Sequence, residues 1–261
     1  MNKILFVSLM IGTASIPSVA VATDMSMRAG YDFIDYSGEH GTRKSIFSEL
    51  KTNIDNGVAV FNLSEGRRNY GNGDSWNALR GNTTVWYNWN QWLSTKTALS
   101  ISENTPVFSR RDAQQDVSIK VIPKTVFTLG YRYANYFGNT DVNAFSGGIS
   151  LYTGPFITSW RYTHYDTEDS GGSYSHIVSV RINDMNGKGN TQLWMSRGTG
   201  AYTYDWSPDT KRGTLKSISL RRNQPLTEVL TIGLTLGKQW YDTPVSSYHS
   251  QQVLTDITWQ F

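Results

Sequence analysis

From Met25 onward the chain alternates bulky and polar residues every second position. No stretch keeps a helical period of 3.6. In 227–241, Leu230, Ile232, Leu234 and Leu236 share one face, against Thr231, Gly233, Thr235 and Gly237. In 125–137, Phe127, Leu129, Tyr131 and Tyr133 oppose Thr128, Gly130, Arg132 and Ala134. In 112–122, Val117, Ile119 and Val121 oppose Asp116, Ser118 and Lys120. In 173–184, Val178, Val180 and Ile182 oppose Ser179, Arg181 and Asn183. The last strand ends "VLTDITWQF", with Ile257, Trp259 and Phe261 on one face and Asp256, Thr258 and Gln260 on the other.

Turn residues cut the pattern into fourteen segments: 25–36, 43–53, 58–69, 76–89, 92–103, 112–122, 125–137, 141–152, 156–166, 173–184, 190–203, 213–223, 227–241 and 249–261. Merging short segments leaves a twelve-strand alternative. Tight turns such as "DNG", "NQ", "PK" and "GP" mostly follow even-numbered strands, and longer polar stretches such as "TPVFSRR" and "WSPDTKR" follow odd ones. That asymmetry belongs to transmembrane barrels, which have short periplasmic turns and longer outside loops. A soluble barrel or sandwich alternates in the same way with the apolar face inward. Three features oppose that reading. The apolar faces carry too many aromatics for a narrow core. The polar faces mix Gly and Ser with single charges. Aromatics cluster near strand ends, with Trp86, Tyr87, Trp89 and Trp92 around one turn and Tyr202, Tyr204, Trp206, Trp240 and Tyr241 beside loops.

Composition narrows the picture. Aromatics make up 13% of the 261 residues and charged residues only 17%, a balance suited to an oil–water boundary. The absence of cysteine excludes disulfides and thiolate chemistry. A net charge of +3, without a dense basic cluster, gives no nucleic-acid footprint. Residues 1–22 read as a signal peptide: Lys3, the apolar run "ILFVSLMIG", then Ala20 and Ala22 as a small-x-small cleavage site. The expected organisation is therefore an exported leader, 1–22, followed by one antiparallel barrel domain, 23–261, of about fourteen strands.

With apolar faces outward, Arg28, Lys51, Arg80, Lys96, Lys120, Arg132, Arg161, Arg181 and Arg221 point inward, opposed by Asp32, Glu49, Asp116 and Asp256. Rings of Arg or Lys favour anions in a pore, so Arg80, Lys120, Arg132, Arg161, Arg181 and Arg221 are the candidate contacts for an anionic or saccharide solute. Alternatively, these cations pair with the acids and brace a plugged lumen. The loop "TPVFSRRD", carrying Arg110 and Arg111, is long enough to fold inward and narrow the mouth.

Enzymatic chemistry has weaker support. His164 and Asp166 share a face near an outer rim, His176 is on the next strand, and Asp205 and Asp209 fall in a rim loop. This resembles an omptin-type acid–histidine pair without its second acidic partner. Interfacial histidines beside an aromatic belt explain them as well. "SGG" and "RGTG" lack the strand-to-helix context of a phosphate loop. No catalytic, cofactor or metal residues are expected.

The stretches "LSEGRRNY", "ENTPVFSRRDAQQDVS", "PKTVFTLGYRYANYF", "GGISLYTGPFITSWRYTHYD", "GGSYSHIVSVRIND", "TQLWMSRGTGAYTYDW" and "QPLTEVLTIGLTLGKQWYDTP" resemble the YaiO family of outer-membrane barrels from about Leu63 to Pro244, and "AGYDFIDYSGEHG" fits as well. The resemblance implies an outer-membrane address in a Gram-negative bacterium and one barrel domain, with no substrate or catalytic residue to carry over. The aromatic chain end Ile257–Trp259–Phe261 resembles the signal read by the barrel-assembly machinery. The expected partners are outer-membrane lipid, that machinery and a small anionic or saccharide solute. The expected function is a narrow channel or binding barrel. The alternatives are a closed structural or accessory barrel for envelope polysaccharide export, and a rim hydrolase.

Overall fold

A computed structural model describes residues 25–168, 171–185, 189–199, 213–243 and 246–261. The expected export segment lies outside them, as do Tyr202, Tyr204, Asp205, Trp206 and Asp209. Fourteen antiparallel strands close into one barrel in chain order, with β1 beside β14. They are β1 (Met25–Tyr36), β2 (Gly41–Ile54), β3 (Gly57–Asn69), β4 (Ser75–Asn88), β5 (Leu93–Ser102), β6 (Arg111–Ile122), β7 (Thr125–Asn135), β8 (Asp141–Thr153), β9 (Phe156–Thr167), β10 (Gly171–Asn183), β11 (Asn190–Thr199), β12 (Thr214–Pro225), β13 (Leu230–Asp242) and β14 (Ser247–Gln260). The twelve-strand alternative is thereby excluded.

Each strand pairs with its chain neighbours, so hairpin turns set most of the registers. The exception is the seam, where Ser26↔Gln260 through Tyr36↔Ser250 join the two chain ends. Closure leaves no strand edge unpaired, which a lipid environment requires. Asp55–Asn56, Pro123–Lys124 and Gly154–Pro155 turn in two residues each at the end holding Met25 and Phe261. Longer connections crowd the opposite end, Glu103–Arg110 among them. By the rule for such barrels, the terminus end is periplasmic and the other end is outside.

Alternation along each strand now acquires a direction. Leu129, Leu234, Leu236, Ile257, Trp259 and Phe261 are exposed on the outer wall, and Asp116, Thr235 and Asp256 are buried on the inner one. No dry centre gathers the apolar faces. The buried apolar residues form three small clusters inside: Ala134, Tyr136, Val142, Ala144 and Tyr165; Ile34, Tyr36 and Tyr241; and Ala78, Val107 and Phe108. Stability therefore rests on the closed ladder and the lipid-facing wall rather than on a packed globular core.

Candidate functional site

All fourteen strands contribute side chains to one internal cavity of about 800 Å³. Its walls are polar, with Asn62, Asn82, Ser100, Gln114, Ser146, Thr163, Ser196, Ser217, Gln239 and Gln252 between the charges. These positions are inward because each falls on the polar step of a period-2 strand.

Ion pairs line this space, and most of them join strands that are not chain neighbours. Arg161 on β9 donates to Asp116 on β6 through both terminal nitrogens, at 2.7 and 3.2 Å, and to Ser146 Oγ at 2.8 Å. A Cβ at residue 130 would overlap Asp116 Oδ1 and Arg161 Nη2, so Gly130 is what lets this pair lie against the wall. Arg132 grips Asp112, with Nε at 3.0 and 3.1 Å from the two carboxylate oxygens and Nη2 also in contact. Asp256 accepts at 3.0 Å from Arg28 Nη2 and at 3.0 Å from Arg221 Nη2, and its side chain is only 1% exposed. This triad straddles the β1–β14 seam.

Three of the six candidate cations, Arg132, Arg161 and Arg221, are thus held by carboxylates. Arg80 lies over the Phe108 ring, 4.6 Å from its centroid. Arg181 donates to Asn183 Oδ1 at 3.0 Å and joins no ion pair among the described residues. Lys120, exposed on β6 three residues before Pro123, joins none either.

Glu103–Arg110 folds into the barrel, as its length suggested, but its arginines do not drive it. Val107 is fully buried and Phe108 is 3% exposed, both packed on Ala78. Arg43 and Arg80 cover the Phe108 ring at 5.4 and 4.6 Å. Gly66 makes room, since a Cβ there would approach Phe108 Cζ at 2.6 Å and Val107 Cγ1 at 2.8 Å. Arg110 instead reaches Asn139 Oδ1 at the rim, 3.0 Å away, and Arg111 is exposed. The adjacent apolar pair in "TPVFS" was the sequence signal for this insertion.

Sequence reasoning also passed over Asp112, Arg43 and Arg68, all on inward steps of their strands. Arg68 lies between Tyr36 and Tyr70, at 4.0 and 4.5 Å. Trp86, expected in the interfacial belt, instead falls on the inward step of β4 with Thr84, under Lys96 Nζ at 5.9 Å. Its neighbour Tyr87 takes the outward step and meets Trp89 edge-on at 4.9 Å.

His164 and Asp166 do share the outward face of β9, with no bond between them among the described contacts. His176 is ringed by Trp160, Tyr162 and Tyr174, with centroids at 6.0, 5.1 and 5.7 Å, the setting of an interfacial aromatic belt.

The fold recurs in solved outer-membrane proteins. The CymD monoaromatic hydrocarbon channel superposes with a TM-score of 0.65 at 9% identity, over 91% of this chain and 88% of that one. A bacterial polysaccharide outer membrane secretin superposes with a TM-score of 0.59 at 11% identity, over 91% of this chain and 98% of that one. At such identities the likeness concerns the fold alone. Residues 24–205 match the YaiO membrane beta barrel domain, and with its closed fourteen-strand wall the chain belongs to that family, as a β-barrel of the outer membrane.

Proposed function

We propose that this barrel is a narrow passage or binding chamber for small polar solutes, with a preference for anions. The observation that carries this reading is an excess of cations from mid-height to the terminus end of the lumen. There Arg28, Lys51, Lys96, Lys120, Arg161, Arg181 and Arg221 face Glu49, Asp116 and Asp256, seven positive groups against three negative. Carboxylates occupy Arg28, Arg161 and Arg221, so the surplus resides in Lys51, Lys96, Lys120 and Arg181. A surplus of fixed cations in a confined aqueous space raises the local concentration of anions. Arg181 and Lys120 are therefore the strongest of the proposed solute contacts. Arg132, Arg161 and Arg221 shape the wall and soften the field of their acids.

The inserted loop gives a second reading some weight. A lumen narrowed by Val107 and Phe108 suits a closed structural or accessory barrel, with envelope polysaccharide export as its setting. Conductance in planar bilayers separates the two. The passage reading expects measurable conductance with anion preference. Arg181→Glu with Lys120→Glu should shift reversal potentials toward cations. Absence of conductance, together with no solute uptake by swelling liposomes, would overturn it and favour the closed barrel. The outward row Ile257, Trp259 and Phe261 is proposed to serve as the assembly signal, since all three are exposed at the periplasmic end of the closing strand.

A further inference from the structure

The lumen does not account for a row of charge on the opposite side of the wall. Ladder pairing places His176, Arg197, Lys216, Trp240 and His249 directly opposite one another across β10 to β14. All five occupy outward steps near the outside end. Arg197 and Lys216 are exposed and form no ion pair among the described residues. Lys238, one outward step below Trp240, lies over that ring at 5.4 Å.

The facing pair Arg197 and Lys216 carries a repulsion that an anionic ligand would relieve. Like charges opposite each other on neighbouring strands repel. A cation on the lipid face of a barrel is unfavourable except near the interface. The adjoining wall is concave, with a cavity of about 430 Å³ lined by Arg197, Lys216, Trp240, Asp242, Tyr248 and His249 among others. Immediately below the two cations the outward steps become apolar, with Met195 under Arg197 and Ile218 then Leu220 under Lys216. The sequence of surfaces down the wall is therefore cationic and aromatic, then greasy.

We propose that this wall binds the phosphorylated glycolipid of the outer leaflet. Arg197, Lys216 and Lys238 take its phosphates, Trp240 contacts its sugar, and Met195, Ile218 and Leu220 contact its acyl chains. Free phosphate would satisfy the cations but not the apolar steps beneath them, so the lipid is the better match. Asp242 bounds the site toward the rim, where its Oδ1 accepts from Ser247 Oγ at 2.7 Å. Its charge limits how high a phosphate can rest. Elsewhere on the outer wall the charges are mixed: Lys44 faces Arg67 across β2 and β3, but Asp35 and Glu65 lie one outward step away on the flanking strands.

The test uses the full mature chain refolded in detergent micelles, with bound lipid read by native mass spectrometry. The probes are diphosphorylated lipid A, its dephosphorylated counterpart and inorganic phosphate. Retention of the diphosphorylated form should exceed the dephosphorylated one by about thirtyfold, the worth of two surface cations. Millimolar inorganic phosphate should not displace it. Arg197→Glu with Lys216→Glu should abolish that preference while the barrel keeps its folded mobility on unheated gels. Arg197→Gln with Lys216→Gln reads the same outcome if charge reversal prevents folding. Asp242→Asn should tighten retention and Lys44→Glu should leave it unchanged. Equal retention of both lipids, equal weakening by Lys44→Glu, or displacement by phosphate alone would each overturn the proposal.

Discussion

Replacing Phe108 with Ala tests whether the inserted loop is held by its own apolar tip. The ring is 3% exposed, so the docked loop hides nearly all of it. Water can reach the vacated site from the lumen, so the loss is one of transfer, without a persistent cavity. Burying a Phe side chain contributes about 2–3 kcal/mol. The two guanidinium–ring contacts, at 5.4 and 4.6 Å, add about 1 kcal/mol each. The sum, about 4 kcal/mol, shifts docked against undocked by about a thousandfold. The ends of the segment stay pinned, because Ser102 N donates to Arg110 O at 2.9 Å and Arg110 N to Asn135 O at 2.8 Å. Only the middle should be released, and the barrel ladder should be untouched. Hydrogen exchange of the Asn104, Thr105, Val107, Phe108 and Ser109 amides in lipid should accelerate by two to three orders of magnitude, roughly that factor, while strand amides remain protected. If the barrel conducts, single-channel conductance should rise and become noisier. Unchanged exchange in the segment would refute the claim that Phe108 holds it.

Asp256→Ala leaves Arg28 and Arg221 facing each other at the seam. It should cost about 3 kcal/mol, the low end for stripping a buried partner, since both guanidiniums still reach lumen water. A urea midpoint equal to that of the parent in lipid-refolded protein would contradict the triad's role. At the β10–β11 turn, the Arg222 guanidinium beside Asp184 holds its carboxyl below the usual carboxylate range. A depressed folded value means that the pair contributes above the unfolded value of about 4 and loses that contribution as pH falls through the depressed one. Asp184→Asn should therefore lose a small increment of urea resistance at neutral pH. The increment should vanish in acid; a gap between the two proteins that persists below pH 2 would count against it. Phe261→Ala should lower the yield of assembled barrel in cells while leaving refolding in detergent intact. An equal drop in both would mean a defect in stability and not in recognition.

Strand identity and facing were legible in the chain because barrel architecture is local. Each strand pairs with its neighbour through a turn, and lipid on one side with water on the other forces a period of two. That is why the chain alone places the segments around Leu129, Val180 and Leu234, with their outward faces. Arg132, Arg161, Arg181 and Arg221 were likewise inward by alternation alone. Their partners were not legible. Arg161 meets Asp116 across three strands and 45 residues, and Arg28 meets Asp256 across 228, because curvature and closure bring those steps together. The burial of Val107 and Phe108 likewise depends on a gap at Gly66 that alternation cannot reveal. Trp86 escaped for a related reason: one residue decides between lipid and lumen, and only the register with Lys96 settles it. The row Arg197–Lys216–Trp240 is a fact of cross-strand pairing, assembled from three separate segments. Short-range periodicity thus determined the wall of this protein, and long-range closure decided what that wall encloses and what it presents to the lipid.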